Sequence, residues 1–429
     1  MSDEGAVDAN GPVDADPAQV DVPVLREPAG GTPEPITTVV QLAEAVAGLS
    51  SGHGPLAVDA ERASGYRYSQ RAYLVQLRRA GYGTVLIDPI ALPDLSSLGT
   101  AMAGVEWILH AAHQDLPCLA ELGLRPSRLF DSELAGRLLG EERVALGTMV
   151  ESRLGIRLEK GHSAADWSTR PLPYDWLVYA ALDVELLIPL RDALAAELAA
   201  AGKSLWAEQE FEAARVAPPA PPRTDPWRRT SGIHAIRERR RLAMVRALWI
   251  SRNELAVERD VAPGRVLPDA AIIAAVKRNP ANIDELTQLP VFGGPRQRRQ
   301  ANRWLTALEA GRNLPEAELP TSTLISTDWM PPPARWRERF PEAADRLAGC
   351  RDVVAKLSET HRVLPQNLLA GEIVRRIAWE PPDPLTEPGV AQRLRELGAR
   401  PWQADLTAGP MAAILTDPPR AAGPIEENL

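Results

Sequence analysis

Hydrophobic patterning is almost absent from the first 35 residues of the chain and begins near Ile36. Residues 1–35 carry eight acidic side chains and one arginine among many Pro, Gly and Ala residues. Such a segment cannot bury enough apolar surface to fold, so we expect a disordered acidic tail. From Thr38, a potential N-cap, apolar residues recur at helical spacing as far as Leu49. The first predicted element is therefore a helix.

Strand-like and helix-like patterns alternate over residues 36–212. Short apolar runs predict strands, and apolar residues three and four apart predict helices. The predicted strands are 55–62, 74–77, 84–88 and 107–110. The predicted helices are 114–122, 131–138, 145–154 and 173–201. Strands first, then helices mixed with strands, favour an α/β domain with a mixed sheet.

Proline-rich stretches divide the remaining chain into two helical parts. Residues 213–226 and 313–335 are predicted linkers, because proline can neither continue a helix nor pair in a central strand. Residues 227–312 and 336–416 have helical patterns throughout, and 417–429 is predicted to be a disordered tail.

A weak internal repeat relates the two helical parts. Leu267-Pro268-Asp269 and Leu364-Pro365-Gln366 each precede a predicted helix and lie 97 residues apart. Two small helical domains of one type would explain this spacing. Two unrelated helix starts that share a common Leu-Pro dipeptide are the alternative.

Composition narrows the class of protein. No run of about 18 apolar residues exists, so we expect no transmembrane helix and no membrane partner. The segment Met1-Ser2-Asp3-Glu4 lacks the basic and apolar regions of a secretory signal. The two cysteines, Cys118 and Cys350, are too few for a disulfide framework, and we expect a reducing cytoplasm. No obligatory protein partner is evident.

The formal net charge of −9 argues, as a bulk value, against a nucleic-acid partner. The charge is unevenly distributed: residues 225–312 hold 17 Arg and Lys against nine Asp and Glu. The net charge is −7 for the acidic tail, −6 for residues 36–224 and −4 for residues 313–429. The basic part therefore suits contacts with backbone phosphates, and seven of its arginines are RNA-binding candidates. They are Arg237, Arg239, Arg240 and Arg241 at one helix start, and Arg296, Arg298 and Arg299 after two glycines.

Acidic residues are placed where catalytic carboxylates could meet. Asp59 and Glu61 are two apart on the first strand, so both face the same side. An edge strand with a solvated face is the alternative. Asp115 lies where a strand meets a helix, where it could simply favour the helix dipole. Tyr179 and Asp183 are four apart and share a helix face, which is also common for ordinary surface pairs.

The order of these residues resembles the DEDD exonuclease superfamily in its DEDDy branch. That pattern is a strand with Asp-x-Glu, an acid at a strand–helix junction, and a helical Tyr-x-x-x-Asp. Two further stretches are similar to the bacterial ribonuclease D family. One is Asp-Trp-Ser-Thr-Arg-Pro-Leu-Pro at 166–173, followed by Tyr179-Ala-Ala-Leu-Asp183-Val, and the other is 69–77 leading to Leu86-Ile87-Asp88-Pro89. The resemblance is strong over roughly 36–205, and Ile236 to about Gly311 resembles an HRDC domain.

The resemblance implies an α/β ribonuclease H-like (DnaQ-like) exonuclease domain with a mixed sheet, followed by two small all-α HRDC-type domains. It implies a 3′–5′ exoribonuclease that releases 5′-mononucleotides, with 3′-extended tRNA precursors as the expected substrate. Hard cations prefer carboxylate oxygens, so two divalent ions, Mg²⁺ or Mn²⁺, are the expected cofactors.

Site roles also follow from the resemblance. Asp59, Glu61 and Asp183 would hold one ion, Asp59 would bridge to a second, and Asp115 would support the second ion largely through waters. Tyr179 would orient the attacking water and assist its deprotonation. Trp167 and Arg170 are candidates for stacking on, and pairing with, the terminal nucleotide. A structural tryptophan and a surface arginine are the alternative for that pair.

Other functions remain open at this point. A 3′–5′ DNA repair exonuclease would use the same catalytic residues, and a non-catalytic RNA-binding protein could share the scaffold. A zinc site at His110 and His113 is disfavoured because no HExxH pattern is present. A helicase is disfavoured because no GxxxxGK[ST] phosphate loop is present.

Overall fold

A mixed five-stranded sheet lies at the centre of the N-terminal half in this computed structural model, which describes residues 22–159, 161–162, 164–219, 221–322 and 330–419. Its spatial order is β4-β3-β2-β5-β6, and a separate pair joins β1 to β7. The strands are β1 (Val24–Leu25), β2 (His53–Arg62), β3 (Ala72–Ala80), β4 (Gly83–Ile87), β5 (Glu106–Leu109), β6 (Arg128–Asp131) and β7 (Arg157–Leu158). Strands β2 to β4 are antiparallel, whereas β2, β5 and β6 are parallel. The predicted mixed sheet is confirmed.

Eight helices accompany the strands within the described part of this half. They are α1 (Val39–Ser51), α2 (Ser96–Ala101), α3 (Leu116–Glu121), α4 (Ser132–Leu138), α5 (Leu146–Leu154), α6 (Tyr174–Glu185), α7 (Leu187–Ala200) and α8 (Ser204–Val216). Thr38 caps α1 as predicted, because its hydroxyl accepts the Gln41 amide at 3.3 Å.

Two predictions for this half are wrong in detail. The single helix over 173–201 is two helices that meet at Leu186, because Pro189 cannot donate an amide and its ring would clash with the carbonyl four residues earlier. Disorder over 1–35 is wrong for residues 22–35, where β1 pairs with β7 through Val24 and Leu25. Residues 1–21 lie outside the described residues. The short strands β6 and β7 had no counterpart in the predicted elements.

The middle part of the chain is helical, as its pattern predicts. Its helices are α9 (Arg239–Arg259), α10 (Pro263–Val266), α11 (Asp269–Arg278), α12 (Ile283–Thr287), α13 (Pro295–Arg298) and α14 (Ala301–Arg312). We call residues 227–312 the middle module. Its buried side chains form a hydrophobic core of their own, in which Trp304 is fully buried.

The C-terminal part, which we call the C-terminal module (residues 336–416), is also helical. Its helices are α15 (Trp336–Arg339), α16 (Pro341–His361), α17 (Pro365–Leu368), α18 (Gly371–Trp379), α19 (Glu387–Glu396) and α20 (Pro401–Thr416). Its buried residues belong to the same continuous core as the five-stranded sheet. No helix among the described residues is long and apolar enough to cross a membrane. The predicted linker 313–335 and tail 417–429 lie partly outside the described residues, at 323–329 and 420–429.

The two modules repeat one helix order, but not at the predicted offset. Helices α9 and α16 are both 21 residues long and end at a residue with left-handed φ, Asp260 (46°) and Arg362 (50°). A four-residue helix follows in each, starting at Pro263 and Pro365. Corresponding residues of the two modules are therefore 102 positions apart, and the predicted offset of 97 residues is wrong. Pro268 directly precedes α11, whereas Pro365 opens α17, which corresponds to α10.

Candidate active site

Strand β2 brings two carboxylates to one side of the sheet. Asp59 and Glu61 share a face because they are two residues apart on a strand, as predicted. The same face meets α6, which places Asp183 beside them. One oxygen from each of Asp59, Glu61 and Asp183 lies within 4.8 Å of the others. Three convergent carboxylates provide the hard oxygen ligands that Mg²⁺ or Mn²⁺ prefers.

Tyr179 lies one helical turn before Asp183 on α6. The Tyr179 hydroxyl lies close enough to the Asp183 carboxylate for the two groups to influence each other's pKa. Burial, followed by the nearby charges of Asp183 and Glu61, raises the pKa of Tyr179 above its ordinary value. The phenol is therefore held protonated in this arrangement, and it can donate or orient rather than accept a proton.

Asp115 lies at the edge of this group instead of inside it. It lines the same cavity of about 420 Å³ as Asp59, Glu61, Tyr179 and Asp183. It is the N-cap residue of α3, as the dipole alternative requires, but its side chain makes no capping hydrogen bond. Its carboxylate instead lies 3.6 Å from the guanidinium of Arg62.

Ionising all four carboxyl groups of this cavity at once is unfavourable, because they are buried and close together. Burial, opposed by the Ala60 amide and by Arg62, raises the pKa of Asp59 to about 6. Burial, and then repulsion from Asp59, raises the pKa values of Glu61, Asp115 and Asp183 well above their ordinary range. A divalent cation would offset both the burial of the carboxylates and their mutual repulsion, so the site fits a metal ion.

A zinc site at the histidines gains no support. Burial lowers the pKa of His110 to about 4, so the ring is neutral at pH 7, and its Nδ1 lies 2.9 Å from the Ser132 hydroxyl. His113 is exposed. Among the described residues, the one group of side chains close enough to hold a metal contains carboxylates alone.

The sequence analysis missed Asp131, a buried carboxylate that shapes the turn leading to Asp115. Its oxygens accept the amides of Ala111 and Ala112 at 3.1 and 2.8 Å. They also accept the amides of Glu133 and Leu134 at the start of α4. An Asp-Ser-Glu start of a helix was a usable capping signal, but its link to the turn at Ala111 is a long-range contact.

The two predicted nucleotide contacts at Trp167 and Arg170 differ in outcome, and stacking on Trp167 is wrong. The Trp167 ring is fully buried, packed near Trp176 and Tyr179, so no base can stack on it without repacking. The Arg170 guanidinium is engaged by both oxygens of Asp88, at 2.7 and 2.9 Å. The structural alternative is therefore correct for Trp167, whereas a nucleotide contact of the partly exposed Arg170 stays a prediction.

The basic candidates of the middle module divide into two sets. Arg239 and Arg240 pair with Glu316 at 3.4 and 3.0 Å, and Arg241 pairs with Glu238. This arginine run is therefore paired with acids, and one of them, Glu316, lies beyond the segment 225–312 whose charges were counted. Arg237, Arg296, Arg298 and Arg299 are exposed. These four remain predictions for RNA contact.

Family comparisons agree with this geometry. The chain matches the family described as "3'-5' exonuclease" over residues 33–199 and "HRDC domain" over 241–308. Residues 330–415 match "3' to 5' exonuclease C-terminal domain", so a second HRDC domain is not confirmed. The sheet, the acidic cluster and these matches define a 3′–5′ exonuclease.

Relatives carry the identification one step further. A ribonuclease D from Acidiphilium cryptum is 31% identical over 365 residues, which cover 82% of this chain and 89% of that protein. Ribonuclease D from Escherichia coli is 27% identical over 335 residues, covering 75% and 84%. The chain belongs to the ribonuclease D family and is a 3′–5′ exoribonuclease.

Solved structures show the same architecture. A protein from Bifidobacterium adolescentis has a TM-score of 0.85 at 38% identity, covering 92% of this chain and all of that one. The structure titled as Escherichia coli RNase D, "an exoribonuclease involved in structured RNA processing", has a TM-score of 0.64 at 25% identity. It covers 90% of this chain and 98% of its own.

Proposed function

We propose that this enzyme trims the 3′ ends of structured RNA in the cytoplasm, with 3′-extended tRNA precursors as substrates and 5′-mononucleotides as products. The observation that carries the proposal is the convergence of Asp59, Glu61 and Asp183 beside Tyr179 in one open cavity. The structured-RNA title of the Escherichia coli relative supports the substrate class. The two free, buried cysteines are compatible with a reducing compartment.

Carboxylates would hold two divalent ions, either Mg²⁺ or Mn²⁺. Asp59, Glu61 and Asp183 would hold the first, and Asp59 with Asp115 would hold the second. When bound, the ions would supply charge stabilisation at the attacking water and at the departing 3′-oxygen. A cavity lined by five carboxylates, including Glu133, supports strong attraction for divalent cations.

Tyr179 would position the attacking water rather than act as the base alone. Its hydroxyl lies beside the Asp183 carboxylate, and its raised pKa opposes loss of the phenolic proton. A water held between this hydroxyl and the metal-binding carboxylates would be aligned for attack on the terminal phosphodiester.

The middle module would hold the RNA body through its phosphates. Arg296, Arg298 and Arg299 are exposed at and after α13, and no ion pair involving them occurs among the described residues. Exposed guanidinium groups on a helical surface suit backbone phosphates and shape rather than base sequence.

One digestion experiment tests this function. Wild-type enzyme with Mg²⁺ should shorten a 3′-extended tRNA one nucleotide at a time, faster than a DNA oligomer of equal length, and EDTA should abolish the activity. Tyr179→Phe serves as the matched control, because it keeps the fold and should lose at least about 100-fold in turnover. Faster digestion of DNA, EDTA-resistant digestion, or normal turnover by Tyr179→Phe would contradict the proposal.

A further inference from the structure

Arg62 is the cationic side chain that lines the acidic cavity within the described part of the chain, since the neighbouring His110 is neutral at pH 7. Its Nη2 lies 3.6 Å from Oδ1 of Asp115 and 3.4 Å from Oε1 of Gln114. About a quarter of its side chain is exposed, so solvent and substrate can reach the guanidinium.

An irregularity in the sheet lies beside Arg62, where Tyr73 of β3 is the unpaired extra residue. Strict alternation would send residue 62 to the face opposite Glu61. The pairing of β2 with β3 shifts at this point, because Glu61 pairs with Leu74 whereas Arg62 pairs with Ala72. A β-bulge of this kind increases the local twist and redirects a side chain. The cation is therefore built into the end of the strand that carries the catalytic acids.

The cavity consequently has two unlike sides. Among the described residues, no cation makes a hydrogen bond or an ion pair with the converging carboxylates of Asp59, Glu61 and Asp183. Asp115 stands apart from this group and is paired with Arg62. Because a guanidinium keeps its charge at any working pH, a cation that binds beside Asp115 must compete with Arg62 or displace it.

We propose that Arg62 is a positioning residue that makes the two ions bind in order. This inference rests on the metal site proposed above. The first ion binds at Asp59, Glu61 and Asp183, and Arg62 holds Asp115 in the meantime. The scissile phosphate of the RNA then draws the guanidinium away from Asp115, since guanidinium groups pair well with phosphate oxygens. Asp115 becomes available to the second ion only when substrate is present.

This order has a thermodynamic consequence. If one side chain excludes the second ion and also pairs with RNA, then RNA and the second ion must strengthen each other's binding. The enzyme without RNA should therefore show one strong and one weak class of ion site.

Calorimetric titration with Mn²⁺, in the absence of RNA, tests the proposal without relying on activity. Wild-type protein should bind one ion strongly and one weakly. In Arg62→Gln the weak site should strengthen about tenfold (about 1.4 kcal/mol), and the strong site should change less than about threefold. Arg62→Lys retains a positive charge and should stay closer to wild type.

Two controls separate the ion pair from a general charge effect. Arg67→Gln removes a nearby guanidinium that donates to Ser168 at 2.8 Å, and it should leave both sites unchanged. Asp115→Asn should weaken the second site, and adding Arg62→Gln to it should no longer strengthen that site.

The outcomes are distinct. Strengthening of the weak site alone, lost in the double variant, supports the proposal. Equal strengthening of both sites, or no change in Arg62→Gln, overturns it while leaving the metal site intact. Failure of the wild-type protein to bind Mn²⁺ at all overturns both the metal site and this inference. Thermal unfolding of each variant establishes that it is folded.

Discussion

The middle module and the C-terminal module use the same helical corner to contact the exonuclease domain in different ways. In the middle module the Asp260 carboxylate accepts the amides of Tyr68 and Ser69 at 3.1 and 2.8 Å. In the C-terminal module the backbone carbonyl of Arg362 accepts the Lys203 ammonium at 3.3 Å. One contact depends on a side chain and the other on the main chain.

The surroundings of these corners differ more strongly. The C-terminal module shares a continuous core with the sheet, and Trp402 stacks on Trp206 at 4.6 Å while its Nε1 donates to Glu210. The middle module has a separate core, and its contacts include Arg265 over the Tyr66 ring at 3.9 Å. The comparison indicates that one module is part of the catalytic fold, whereas the other is a separately folded module attached mainly by polar contacts.

Trp402→Ala should have the largest effect of the changes considered. Removing a buried tryptophan from a shared core costs about 3–5 kcal/mol, and the loss should reach the sheet as well as the C-terminal module. Amide hydrogen exchange of β2 and β3 measures this. The matched control is Trp304→Ala, which should destabilise the middle module alone. Unchanged exchange in β2 and β3 of Trp402→Ala would show that the core is not shared.

Divalent ions should stabilise the catalytic fold and leave the middle module unaffected. Mn²⁺ at about 100 times its dissociation constant adds about 2.7 kcal/mol to a state that binds it. Calorimetric unfolding with Mn²⁺ or EDTA should therefore shift only the transition of the shared core. Equal shifts in both transitions would mean that the modules unfold as one unit.

The stability of the shared core should also depend on pH. The raised pKa values of the cluster, about 6 for Asp59, mean that the folded protein takes up protons before the unfolded chain does. Without ions, the shared core should gain stability as the pH falls from about 7.5 to 5.5. With Mn²⁺ bound this gain should disappear, because protons then compete with the ion.

Neutralising the exposed arginines of the middle module should weaken RNA binding by a smaller amount. The triple change Arg296→Gln, Arg298→Gln and Arg299→Gln should cost about tenfold in affinity near 0.1 M salt and flatten the salt dependence. The matched triple change to Gln at Arg337 and Arg339 of the C-terminal module and at Arg335, which directly precedes it, should alter neither the affinity nor its salt dependence. Fluorescence anisotropy of labelled RNA across a salt series measures both the affinity and its salt dependence. Similar losses of affinity in the two triple variants would show that RNA binding does not distinguish the middle module from the C-terminal module.

The smallest expected effect lies at the Asp260 corner. Glycine adopts the left-handed φ of residue 260 easily, but Asp260→Gly removes the acceptor for the amides of Tyr68 and Ser69. The contact between the middle module and the exonuclease domain should weaken by about 1 kcal/mol. Exchange of the Tyr68 and Ser69 amides should accelerate, and the core of the middle module should stay protected. Asp260→Asn keeps both an acceptor and φ tolerance, so its exchange should resemble wild type. Faster exchange throughout the middle module of Asp260→Gly would indicate a folding defect instead.

Local patterns were sufficient to place each acidic pair on one face of its element, whereas the catalytic roles came from the family resemblance. Asp59 with Glu61, and Tyr179 with Asp183, depend only on the periods of a strand and a helix, and both pairs face the cavity. The sequence also contains the signal for the break between α6 and α7, because Pro189 in the first turn of α7 cannot continue the hydrogen bonding of α6. Domain boundaries drawn at the proline-rich stretches stay predictions.

Long-range contacts account for what the sequence could not predict. Arg62 lines the cavity beside a shift in strand pairing, which no period reveals. Trp167 is buried by packing against α6, and Glu316 reaches Arg239 and Arg240 from beyond the module. Burial and ion pairing of this kind depend on tertiary structure, so a tryptophan or an arginine run alone cannot indicate a binding surface.

The shared core also affects how the chain is made. The face of α8 that receives Trp402 is complete by Val216, but α20 ends at Thr416, about 200 residues later. At about 5–20 residues per second, the ribosome needs on the order of 10–40 s to supply the missing helices. During that time the middle module can fold on its own core, while the catalytic domain still exposes Trp206. The nascent enzyme therefore carries an apolar surface that chaperones can bind until its last helix emerges.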